Sequence, residues 1–398
     1  MAETPLRDVT VIDFSRFRAG PWCTQLLSEL GAEVIKVERP GTGDSERGSH
    51  PSKGGLGVNF ISRNRNKKSV TVDLKTEAGR QVVEDLIADA DVLVENFSLG
   101  VLDRLGLGYD YLSEEVNPQL IYASIKGYGE KGPYKDKKGV DLVMQAEGGL
   151  MSVTGTEDGE TVKVGQAIGD IGAGLYTTIS VLAALNHRQR TGEGQKIETS
   201  LFGTIVSFME EYFTMYGITG ENPGPRGTRH QTGVPYELVE TADGQMVINV
   251  PSRRWEAFTE DVLDAPELAE YDTQQKRQEN YEEIMSVLRP QFRERTTDQW
   301  ETILDDLGCP NGPLNRVSDV VEHPQARERG YVFEYDDPNI GEVLLHGHPF
   351  HFSRTEKEIR SGPPLLGEHT GEVLRDRLGL SQAELEELEE QDAIAGDL

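Results

Sequence analysis

Asp170 is the only acid in the glycine-rich stretch Gly165-Gln166-Ala167-Ile168-Gly169-Asp170-Ile171-Gly172-Ala173-Gly174, and the run after it, Leu175 to Leu185, stays uncharged until Arg188. That run predicts a buried helix. A carboxylate at the mouth of such a helix, with glycines on both sides, would be ionised and approachable, as a carboxylate nucleophile must be. Asp is also a preferred N-cap, so position alone equally admits a purely structural role.

The elements that must position this residue are legible upstream. Val9 to Phe14 is a short β-rich run, Pro21 to Leu30 has helical spacing, Gly31 stops it, and Glu33 to Val37 is the next strand. The pattern repeats with Ser69 to Leu74, a helix from about Thr76 to Ala90, and Val92 to Val94, and Leu120 to Ile125 is a further strand. Short strands alternating with helices imply parallel β-α-β units and an open sheet with helices on its faces, an α/β class. Gly217 to Gly227 reads as a connector, Trp255 to Leu307 as a charged helical region that Gly308 to Pro313 breaks, and Ser381 with Glu384 as a capping box.

Three segments follow from these breaks: a large α/β domain over 1–220, a small domain over 221–330 and a C-terminal segment over 331–398. A dinucleotide fold would need G-x-G-x-x-G between the first strand and helix. Ser15-Arg16-Phe17-Arg18-Ala19-Gly20-Pro21 stands there instead, which argues against NAD.

With 69 acidic against 40 basic residues, the chain carries a formal charge of -29. That field would repel nucleic acid and anionic membranes. Only 14 of the basic residues are lysine, and the acids are dispersed, which fits a protein kept soluble in high salt, from a halophile. Cys23 and Cys309 form no metal-ligand or disulfide pattern, so no metal is expected and a reducing cytoplasm is. The N-terminus has no signal-peptide pattern, and the uncharged run after Asp170 is read as too short and too rich in Gly and Thr to span a bilayer. Twelve of the lysines precede residue 200, with basic clusters at Arg63, Arg65, Lys67, Lys68 and at Lys126, Lys131, Lys135, Lys137, Lys138. A positive rim of this kind could dock a polyphosphate.

Val34-Ile35-Lys36-Val37-Glu38-Arg39-Pro40, Ala90-Asp91-Val92-Leu93-Val94-Glu95-Asn96-Phe97, Gly127-Tyr128-Gly129-Glu130-Lys131-Gly132-Pro133 and Arg190-Thr191-Gly192-Glu193-Gly194-Gln195 stand in a characteristic order and spacing. Through them the chain resembles the class III coenzyme A transferases of CaiB/BaiF type, which include formyl-CoA, carnitine and mesaconate CoA-transferases. The resemblance runs from Pro5 to Thr370.

It implies a Rossmann-like large domain with a parallel sheet, a smaller α+β domain, a C-terminal return to the large domain and an interlocked homodimer. Asp170 would be the nucleophile, and Arg39, Lys75, Asn96, Phe97, Arg104 and Lys138 would contact the nucleotide or pantetheine of CoA. CoA thioester is then a substrate and no cofactor is permanently bound.

Arg16 and Arg18 fall near the acyl end of the family's pocket, where an arginine could hold the far carboxylate of a dicarboxylic acid. The expected reaction moves CoA from succinyl-CoA to a C4 or C5 dicarboxylate such as mesaconate or citramalate, through aspartyl anhydride and aspartyl-CoA thioester. Glycine-turn N–H groups near Asp170 are expected to stabilise the oxyanions. The alternative is a 2-methylacyl-CoA racemase, which resembles this chain too. It needs a histidine as second base where this chain has Val140, leaving His50 and His187 as substitutes.

Overall fold

The computed structural model describes residues 4–355 and 359–398. The chain divides into two compact units, Met1–Leu150 with Val164–Ile218 and Arg327–Leu398, and Met151–Lys163 with Thr219–Ala326.

The first unit is built on a seven-stranded sheet. Its elements are β1 (Thr10–Asp13), α1 (Ala19–Glu29), β2 (Glu33–Glu38), β3 (Lys67–Val72), α2 (Glu77–Ala88), β4 (Val92–Glu95), β5 (Ile121–Lys126), α3 (Asp141–Glu147), α4 (Ile168–Thr191), β6 (Gln195–Ser200), α5 (Leu201–Phe208) and β7 (Ile394–Ala395). The strand order is β7-β3-β2-β1-β4-β5-β6, parallel throughout except for the C-terminal strand β7, which pairs antiparallel with β3. The order reverses between β1 and β4, the place where open α/β sheets form their ligand crevice.

Alternation along the strands sends Val11, Val34 and Val92 to one face and Ile12, Ile35 and Leu93 to the other. Against the first face pack α1, α4 and α5 through Cys23, Leu27, Ala173, Val181 and Ile205. Against the second pack α2 and the C-terminal helices Thr370–Leu378 and Gln382–Glu390. Gly31, at φ +108°, ends α1 with a turn that a Cβ would block against Thr4. Cys23 is fully buried and burial pushes its thiol up to about 12, so it is inert packing.

The helix expected from Leu175 starts seven residues earlier, which makes α4 24 residues long. It is therefore long and apolar enough to cross a membrane, contrary to the sequence expectation, although half of its most apolar stretch is buried inside the chain.

The second unit holds a three-stranded antiparallel sheet, Tyr236–Glu240, Gln245–Asn249 and Asn311–Pro313, and a core around Trp255, Phe258, Phe292 and Trp300. Its helices include Thr297–Leu307, opened by a capping box of Thr296 and Gln299 and closed by Gly308. The capping box expected of Ser381 and Glu384 is formed in the first unit. The sequence pattern did not reveal the hairpin Val332–Asp337 with Gly341–His346, which packs on Leu56 and Phe60.

Candidate active site

Asp170 is not the N-cap of α4. Ala167 occupies that position, and Asp170 is the third residue of the helix. The turn is fixed by packing: a Cβ on Gly172 would come within 2.6 Å of Thr204 and closer still to Phe208, and one on Gly174 within 2.6 Å of the Ala19 carbonyl. These glycines admit α5 and α1 to close contact. They lie inside the helix, where their N–H groups belong to the i→i−4 ladder, so the expectation that they serve as oxyanion donors is corrected.

The carboxylate of Asp170 makes no ion pair or hydrogen bond to another side chain among the described residues. Burial, then the neighbouring charge of Asp141, raise its pKa; Arg18 and Arg63 pull it back, Glu46 opposes them, and the net value is about 6. At pH 7 roughly nine-tenths of it is ionised. The result is a desolvated anion poised close to neutrality.

Arg63 is buried, and burial together with Arg18 brings its guanidinium down to about 10. It is anchored by the Phe17 carbonyl at 3.3 Å, by Asn59 Oδ1 at 3.1 Å and by Glu46 at 4.0 Å. Phe17 sits at φ +66°, a region costly for an aromatic residue and frequent at functional sites.

On either side of that turn the two arginines separate. Arg18 faces Asp170, whereas the Arg16 guanidinium lies 5.0 Å from the centre of the Phe97 ring. The sequence put both at the acyl end; the structure divides them.

Arg16 and Phe97 line a cavity of about 320 Å³ at the C-terminal ends of β1 to β4, together with Arg39, Lys75, Lys36 and the apolar Val37, Val72, Leu74 and Leu105. Of the residues assigned to CoA, this brings together Arg39, Lys75 and Phe97. Asn96 supports the wall: its side chain accepts the Arg16 N–H at 2.9 Å and donates to the Arg16 carbonyl at 2.6 Å. Arg104 and Lys138 are exposed and do not line the cavity.

Beneath the cavity lies a buried charge network that sequence reading missed. Asp13 accepts from Thr24 Oγ1 at 2.7 Å and Lys67 Nζ at 3.1 Å, Lys36 meets Asp44 at 3.2 Å, and Arg47 grips Glu38 at 2.5 Å. Burial would raise the Asp13 carboxyl, but Lys67 and Lys36 outweigh it and bring it to about 2. Arg65 pairs with Glu29 and Lys126 with Glu95, both buried. The first basic cluster read as a phosphate rim is thus largely internal, and so is Lys126 of the second: Arg65, Lys67 and Lys126 are paired inside the scaffold and Arg63 is buried near Asp170, whereas Lys131, Lys135, Lys137 and Lys138 are exposed. Arg16, Arg39 and Lys75 are the exposed cations at the cavity, beside the buried Lys36.

A cleft at the sheet reversal with cations at its wall is where an open α/β fold receives an anionic ligand. The profile of CoA-transferase family III matches residues 6–370, and the chain belongs to that family. It is 37% identical to succinyl-CoA:glutarate CoA-transferase of Mus musculus over 388 residues, spanning 96% of this chain and 89% of the relative. It is also 37% identical to succinyl-CoA:mesaconate CoA-transferase of Haloarcula marismortui, over 93% of this chain and 95% of the relative. Among solved structures, a CaiB/BaiF family protein from Brucella suis superposes with a TM-score of 0.85 at 36% identity, covering 94% of this chain and 99% of that one.

Proposed function

We propose that the enzyme moves CoA from succinyl-CoA to a C4 or C5 dicarboxylate such as mesaconate, citramalate or glutarate, with Asp170 as the covalent carrier. The observation that carries this reading is the half-buried Asp170 carboxylate, unpaired and raised to about 6, facing Arg18 and Arg63. One Asp170 oxygen attacks the donor thioester carbonyl, the C–S bond breaks, and CoA leaves as thiolate with the acyl group held in a mixed anhydride. The thiolate then attacks the Asp170 carbonyl, expelling succinate and leaving an aspartyl thioester. An acceptor carboxylate repeats the two displacements in reverse, and no proton is consumed.

Arg39, Lys75, Phe97 and Arg16 hold the nucleotide and pantetheine of CoA in the cavity at the sheet reversal, with Asn96 fixing its wall and Arg104 and Lys138 contributing from outside. Arg18, joined by Arg63, takes the far carboxylate of the diacid; the names of the mouse and Haloarcula relatives, both using dicarboxylates, support that assignment. The enzyme works as a homodimer in a saline cytoplasm. Exposed apolar side chains on α4 and the following helices, including Ile179 at 61% and Ile218 at 80%, support a second copy as the partner, and the charge of -29 supports the saline setting.

Racemisation is disfavoured. Val140 fills the position of the second base, and His187 lies seventeen residues along α4 from Asp170, about 25 Å away at the helical rise.

Purified enzyme given succinyl-CoA and a panel of free acids should form new CoA esters of dicarboxylates. Arg18→Met should raise the acceptor KM for dicarboxylates about tenfold or more over its effect on monocarboxylates. Equal effects on both classes would remove Arg18 from acid selection, and deuterium entering a 2-methylacyl-CoA with no ester exchange would make the enzyme a racemase.

A further inference from the structure

The first turn of α4 is held from the side by α3, through contacts that lie 19 to 28 residues apart in sequence. Asp141, the first residue of α3, accepts the Gly169 N–H on Oδ1 at 2.7 Å. Its Oδ2 accepts from Gln145 Nε2 at 2.6 Å. Gln145 is fully buried, and its Oε1 takes the Val164 N–H at 3.0 Å while its Nε2 also reaches the Gln166 carbonyl at 3.4 Å. One amide therefore ties the chain entering the helix to the carboxylate that grips the residue before Asp170.

We infer that Gln145 and Asp141 form a positioning bracket that fixes the Asp170 carboxylate for attack by ordering the first turn of α4. This rests on Asp170 as nucleophile. Gln145 touches no reacting atom; it acts through Asp141 and Gly169. The polarity of the bracket is fixed, because the carboxylate of Asp141 accepts from both the backbone and the amide, whereas the amide oxygen of Gln145 is committed to Val164. An acid at 145 would place two carboxylates side by side. An amide at 141 that keeps the Gly169 N–H on its oxygen would leave two NH2 groups facing each other. Exchanging the two residue types would restore every contact except the 3.4 Å one. The Gly169 N–H would meet the amide oxygen at 141, and the amide NH2 at 141 and the Val164 N–H would both meet the acid at 145.

Four enzymes test this: Gln145→Glu, Asp141→Asn, the double exchange and Asp170→Ala, with succinyl-CoA as donor. At pH 8, where Asp170 is ionised, Gln145→Glu should lose about a hundredfold in kcat, the scale expected for a misplaced reacting group, with KM for succinyl-CoA within about twofold of wild type. The double exchange should recover to within about fivefold of wild type.

The groups that face Asp170 are Asp141, Arg18, Arg63 and Glu46, so removing one negative charge in Asp141→Asn should move the acid limb of kcat/KM for succinyl-CoA, expected near 6 in wild type, down by about one pH unit. A double exchange as slow as Gln145→Glu, or an Asp141→Asn enzyme with kcat and acid limb both as in wild type, would overturn the bracket. An inactive Asp170→Ala beside either result leaves the nucleophile standing, and an active one removes the nucleophile itself.

Discussion

Two charged regions lie close together in the first unit and are built on opposite terms. Beneath the cavity, Asp13, Glu38 and Asp44 face Lys36, Arg47 and Lys67, three against three, all buried and all paired. At the first turn of α4, Asp170 sits half-buried beside a second acid, Asp141, with two arginines near it but neither in contact. The paired set is stable because every desolvated charge has a partner. The unpaired carboxylate suits the nucleophilic role proposed for it for the converse reason: protein surroundings favour its neutral form and leave its oxygens without a side-chain partner.

Breaking the second region should have the largest effect. Asp170→Asn should lower kcat by at least about a thousandfold, since the amide removes the nucleophile. It should also make the protein more stable at neutral pH. The folded pKa, about 6, lies above the ordinary value of 3.8, so the native state binds more protons between those values and wild-type stability falls as pH rises through that window. Asn mimics the protonated form. Allowing for partial exposure, the gain at pH 7 should be about 1–2 kcal/mol, and it should vanish below about pH 4; denaturant melts at the two pH values measure it.

The same substitution in the paired region should do the reverse. Asp13 is depressed to about 2, so its contribution is present above the ordinary carboxylate pKa and is lost as pH falls from about 4 through 2. Asp13→Asn should cost about 3 kcal/mol at pH 7, by leaving Lys67 without its partner, as seen in the denaturant midpoint. A stabilised Asp13→Asn enzyme would erase the contrast between the regions. The smallest effect should come at the cavity wall, where Phe97→Leu removes the platform under Arg16 and should raise KM for succinyl-CoA by about fivefold with kcat little changed.

Much of the scaffold was legible because parallel strands buried on both faces write themselves as short apolar runs. β1, β2, β4 and β5 fall within a residue or two of their expected limits. Asp170 stood out as a lone acid among glycines. What the sequence hid was burial of charge: Arg63, Arg65, Lys67 and Lys126 look like surface cations on paper, and only the fold shows Glu29, Asp13 and Glu95 waiting for three of them. Arg63 near Asp170 was invisible for the same reason. The bracket of Asp141 and Gln145 escaped because its partners lie 19 to 28 residues away, at the start of α4 and in the chain entering it. The separation of Arg16 from Arg18 depends on the left-handed backbone at Phe17, which no propensity of phenylalanine would suggest.

The most direct measurement is the mass of the peptide containing Asp170 after the enzyme is mixed with succinyl-CoA alone and quenched in acid. Covalent carriage by Asp170 predicts a gain of one CoA less one water on that peptide, matched by released succinate, lost on treatment with hydroxylamine and absent from Asp170→Ala. Full turnover with an unmodified peptide, or with the adduct on another side chain, would contradict it.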